Sequence, residues 1–80
     1  MLCVQYNETN ESIDILCDIK GIDTLIDVLT RLRGTDNHIH IRGGEKLDLK
    51  SPYGGEVYGE LVINAFSKAP WLDIESPNGN

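Results

Sequence analysis

The sequence predicts an α+β domain, a mostly antiparallel sheet of four to five strands with one helix packed on one face, in the order β-β-α-β-β-β. Three observations lead there. Apolar residues alternate with period two near the N-terminus, the spacing becomes helical at Gly21, and alternation returns after Asn37.

Leu2, Val4 and Tyr6 alternate with Cys3 and Gln5, the pattern of a half-buried strand. Asn7-Glu8-Thr9-Asn10 supplies turn formers for a hairpin. A second strand follows in Ile13, Ile15, Cys17 and Ile19, whose β-branched isoleucines suit a pleated surface. From Gly21 the chain reads as a helix over 21–33. Ile22, Leu25, Ile26 and Leu29 fall at i, i+3, i+4 and i+7, with Val28 and Leu32 at the margin of the stripe. Asp23 near its start and Arg31 and Arg33 near its end suit the helix dipole, and Asp27 and Arg31 form an i, i+4 pair. Gly34 is placed to end the helix in the left-handed conformation.

Ile39 and Ile41 alternate with His38, His40 and Arg42 in a third strand. Gly43-Gly44 then allows a reversal into Lys46–Lys50, where Leu47 and Leu49 alternate with charged residues. Ser51-Pro52-Tyr53-Gly54-Gly55 is a loop, and a last strand runs from about Val57 to Ala65. Residues 1–67 form the expected single domain and 68–80 an extension, whose end, Ser76–Asn80, is expected to fray.

One helix covers one sheet face. That face is expected to hold Leu2, Val4, Ile13, Ile15, Cys17, Ile39, Ile41, Leu47, Leu49, Leu61 and Ile63. Gln5, Asp14, Leu16, His38, His40, Arg42, Asp48, Tyr58, Glu60 and Val62 belong to the opposite, open face, a solvated surface or a place for a partner or a second copy. Cys3 and Cys17 fall on opposite phases and read as two free thiols.

Composition excludes several classes. With 40% hydrophobic and 25% charged residues the chain is globular rather than disordered, collagen-like or a disulfide scaffold. Thirteen acidic against seven basic residues give a net charge of −6. Direct binding to nucleic acid is disfavoured, because phosphate contacts need clustered Lys and Arg, and a basic partner is favoured instead. No apolar run approaches the roughly 18 residues of a membrane span. With no signal-peptide pattern in Met1–Tyr6, a cytoplasmic location is expected.

His38 and His40 lie on one side of a strand and could approach one metal ion. Zinc needs at least three protein ligands, and Asp14, Asp48 or Glu60 would have to complete the set. No Gly-x-Ser-x-Gly elbow or P-loop occurs, and the carboxylates are dispersed, so the expectation is a non-enzyme without a cofactor. Partner-binding candidates are Asp14, His38, His40, Arg42 and Glu60 on the open face, with Tyr53, Tyr58 and Trp71 as aromatic anchors.

The stretch Gly21-Ile22-Asp23-Thr24-Leu25-Ile26-Asp27-Val28-Leu29, followed by Asn37-His38-Ile39-His40-Ile41 and by Glu60-Leu61-Val62-Ile63, resembles a family of bacterial immunity proteins from polymorphic toxin systems, immunity family thirty-two. The resemblance covers about residues 1–66 and leaves Trp71 outside it. It implies a small single domain that neutralises a cognate toxin by stoichiometric binding. His38 and His40 match the motif, and no catalytic residue comes with it.

Overall fold

The computed structural model describes residues 1–71. Among them lie four strands and one helix: β1 Leu2–Asn7, β2 Ser12–Cys17, α1 Ile19–Leu32, β3 His38–Arg42 and β4 Glu60–Asn64. The class is α+β, as the alternation and the helical stripe predict. The single four- to five-stranded sheet is not formed: β1 and β2 make one two-stranded antiparallel sheet, and β3 and β4 another. The expected fraying of Ser76–Asn80, and all of the extension beyond Trp71, lie outside the described residues.

Two departures from alternation explain the split. The segment expected as the fourth strand reaches β3 only at Leu47, which bridges Gly43 and is fully buried. The next residue turns away to β1: the Asp48 N–H donates to the Leu2 carbonyl at 2.7 Å, and the Leu2 N–H donates to the Asp48 carboxylate at 3.0 Å. The expected last strand divides at Gly59. Its first part lies beside β1, where Val57 bridges Gln5 and the Tyr58 N–H donates to the Val4 carbonyl at 2.8 Å. Its second part is β4, with Ile63 opposite Ile39 and Leu61 opposite Ile41. One segment thus joins the two sheets without merging them.

In the β1–β2 hairpin Leu2 pairs with Cys17, Val4 with Ile15 and Tyr6 with Ile13. The Asn7 side chain accepts from the Asn10 N–H at 3.1 Å and so shapes the turn, where Glu11 takes a positive φ of 52°. Cys3 lies opposite Leu16 and Cys17 opposite Leu2, so the two thiols sit on opposite faces of the hairpin. Burial, and secondarily the Asp48 charge, pushes the Cys3 thiol above its ordinary range.

The helix begins two residues earlier than its stripe suggests. Asp18 caps it by accepting from the Gly21 N–H at 2.9 Å, so Gly21 is inside the helix and Asp18, not Asp23, faces its positive end. The chain's terminal ammonium, then the Gly21 N–H, hold the Asp18 carboxyl below the usual carboxylate range. Gly34, at φ 79°, lies just past the other end, where the Arg33 N–H donates to the Leu29 carbonyl at 3.0 Å.

The buried stripe is not the one expected. Gly21, Val28 and Leu32 are buried and Leu25 is half-buried, whereas Ile22, Ile26 and Leu29 are exposed. Gly21 sets this rotation. A Cβ there would stand 2.0 Å from the Met1 carbonyl oxygen and 2.8 Å from the Cys17 Cβ, so the line of closest approach runs through Gly21. Leu25, Val28 and Leu32 follow it at i+4, i+7 and i+11. Val28 and Leu32 meet Leu2, Val4, Ile41 and Leu47 in the core, edged by Cys17, Ile39, Leu61, Ile63 and Ala65.

The sheet faces need correction as well. Ile13, Ile15 and Leu49, expected under the helix, are exposed. Gln5, expected on the open face, is buried, and so is Cys3 beside it. The loop after Asp48 covers them: the Ser51 hydroxyl donates to the Gln5 side-chain oxygen, and Gly55 packs against the same amide. β1 is therefore covered on both sides.

Candidate functional site

The outer face of the β3–β4 sheet gathers four of the expected partner-binding residues. His38, His40 and Arg42 alternate along β3, and the register sets Arg42 opposite Glu60 and His40 opposite Val62. His40 Nδ1 lies 2.7 Å from Glu60 Oε2, and Arg42 Nε donates to the same oxygen at 3.2 Å. The His38 and His40 rings meet edge to face with centroids 5.1 Å apart. The hydrogen bond from His40, then that from Arg42, lowers the Glu60 pKa, more than burial raises it. All four side chains are exposed. Glu60 thus sits between His40 and Arg42, and both of these also line a cleft of about 310 Å³ with Arg31, Glu45 and Lys46.

That arrangement does not make a metal centre. Among the described residues the two imidazoles find no third ligand: Glu60 is shared with Arg42, Asp14 lies on β2, and Asp48, outside both sheets, bonds to Leu2. Among the described residues, no three His, Cys, Asp or Glu side chains are grouped to hold a metal ion.

The other expected residues are dispersed. Asp14, on β2, is half-buried and turned to its own hairpin: one oxygen accepts from the Ser12 hydroxyl at 2.9 Å and the other from the Asn7 amide at 3.2 Å. Tyr53 stands at the tip of the 51–55 loop, 77% exposed, and Trp71 is also exposed at the end of the described chain. Neither joins the histidine cluster.

Tyr58 belongs to a different constellation. Because Val57 bridges Gln5, Glu56 and Tyr58 flank β1 beside Tyr6 and Val4. Two adjoining clefts result, of about 430 and 330 Å³. Tyr6, Glu8 and Glu56 line the first; Tyr6, Glu56, Val57 and Tyr58 line the second. Two half-exposed phenol rings and two carboxylates thus share one concave surface.

Sequence reasoning names Tyr58 here but misses Tyr6, Glu8 and Glu56. Period two assigns Tyr6 to the first strand's core face without showing that the helix stops short of it. Nothing local links residue 6 to residue 56.

No family model, curated protein or solved structure matches this chain. No described helix is long and apolar enough to cross a membrane.

An aromatic cleft rimmed by carboxylates, on a chain of net charge −6, suits a cationic side chain. An ammonium or guanidinium over a tyrosine face gains about 0.5–1 kcal/mol at an exposed site and about 2 kcal/mol when desolvated. Glu8 and Glu56 offer carboxylate acceptors beside the Tyr6 ring.

Proposed function

We propose that this chain is an immunity protein of the bacterial cytoplasm that binds a cognate protein toxin one to one and so neutralises it. The observation that carries the reading is the Tyr6–Glu8–Glu56–Tyr58 cleft, which is shaped and charged to take a Lys or Arg from a basic protein surface. The acidic balance supports it over long range. Charge complementarity speeds encounter with a basic partner, as toxins that act on nucleic acids or nucleotides must be at their working surface. The resemblance of Gly21–Leu29, Asn37–Ile41 and Glu60–Ile63 to the thirty-second immunity family points the same way. In this reading inhibition comes from occupying the toxin's basic surface, and the chain itself performs no chemistry.

Co-expression with the product of the adjacent gene tests the proposal. A one-to-one complex surviving purification is expected, with binding weakened about 10–100-fold by the double substitution Glu56→Gln, Tyr58→Ala. A product that is harmless when expressed alone and forms no complex contradicts it.

A further inference from the structure

Helix α1 carries two apolar seams, and the core uses one. Gly21, Leu25, Val28 and Leu32 face inward. Ile19, Ile22, Ile26 and Leu29 form the second, at spacings of three, four and three, the a/d rhythm of a coiled coil. They are 78%, 45%, 56% and 52% exposed. At the C-terminal end of this seam lies an apolar groove between Leu29, Leu32, Ile63, Ala65 and Phe66, with Phe66 60% exposed.

We infer that this seam is the contact between two copies of the chain, packed with their α1 helices antiparallel about a two-fold axis. The pattern is self-complementary. Ile19 to Leu29 spans about 15 Å along the helix, so an antiparallel partner sets the most exposed residue, Ile19, over the other copy's groove, and the symmetry repeats the fit.

The helix dipoles favour the same orientation: antiparallel packing opposes them, whereas parallel packing would align them. The four seam residues are uncharged, which lets two chains of −6 meet without burying repulsive groups.

The area suffices. The exposed parts of these four residues and Phe66 come to roughly 500 Å² of apolar surface per chain, and about 1,000 Å² in the pair reaches the lower end of specific interfaces. The contact lies apart from the tyrosine cleft and does not depend on what that cleft binds.

Sedimentation velocity of the full chain alone, from about 1 μM to about 1 mM, tests this. The mass is expected to rise from 8.9 kDa toward twice that value. Ile26→Glu should raise the dissociation midpoint at least about 100-fold while circular dichroism shows the helix intact. A monomer throughout the range, as when the chain's own C-terminal residues fill the groove, overturns the inference. So does a dimer that Ile26→Glu leaves unchanged.

Discussion

Gly21 and Asp14 show how single residues in this chain exchange expected roles. Alanine is the better helix former, so a helical Gly→Ala change ordinarily stabilises by about 0.5–1 kcal/mol. Here the added Cβ would meet the Met1 carbonyl oxygen at 2.0 Å, against backbone that cannot swing aside. Gly21→Ala is therefore expected to destabilise by about 1–3 kcal/mol, lowering the melting temperature by about 4–8 °C per kcal/mol. A raised melting temperature would show that α1 approaches β1 less closely. Asp14 reads in the sequence as an open-face binding residue, yet both its oxygens are held within the first hairpin by Asn7 and Ser12. Asp14→Ala should cost about 1–2 kcal/mol of stability and leave partner affinity unchanged. Thermal melts paired with a binding titration separate the two effects.

At the scale of elements, the β3–β4 sheet carries an exposed His40–Glu60–Arg42 cluster on its outer face. Glu60 titrates below the ordinary glutamate value of about 4.3 because His40 and Arg42 stabilise its charge. A carboxyl depressed in the folded state lends stability that is present above its unfolded pKa and lost as pH falls through the folded one. Melts between about pH 5 and about pH 3 should show that acid-side loss, and Glu60→Gln should make it shallower. Equal slopes in the two proteins would mean that the His40–Glu60–Arg42 cluster contributes nothing in solution. Both hairpin strands, the helix and β3 were legible because each is a local period, of two or of 3.6 residues. The register-setting breaks were not. Leu47 and Leu49 alternate like a strand, but Asp48 finds its backbone partner on Leu2, forty-six residues away. Val57–Ala65 alternates throughout, yet Gly59 divides it between two neighbours. The helix posed another ambiguity: α1 is apolar over two arcs, and only the docking of Gly21 decides which one is buried.

For the whole molecule, seven hydrophobic residues are buried among those described, Leu2, Cys3, Val4, Val28, Leu32, Ile41 and Leu47, while the helix keeps an exposed apolar seam and the first sheet an acidic aromatic cleft. A small core with two such surfaces is what association would complete, one surface for a second copy and one for a basic partner. One of the cleft's four aromatic and acidic residues was legible in the sequence. Tyr58 stood out as an exposed aromatic in a polar phase, but its neighbours Tyr6 and Glu56 meet only because the chain returns to β1 after fifty residues. With a basic toxin, raising the salt concentration from about 0.05 M to about 0.5 M is expected to slow association much more than it speeds dissociation. A salt-independent association rate would reduce the −6 charge to a matter of solubility. The most direct measurement is survival of cells that express the adjacent gene's product, with this chain supplied in wild-type form or as Glu56→Gln, Tyr58→Ala. Full rescue by the wild type is expected, with a marked loss of rescue by the double variant at equal protein level. Rescue unaffected by the double substitution would contradict the cleft as the neutralising surface, and no rescue by either form, with the product toxic alone, would contradict neutralisation itself.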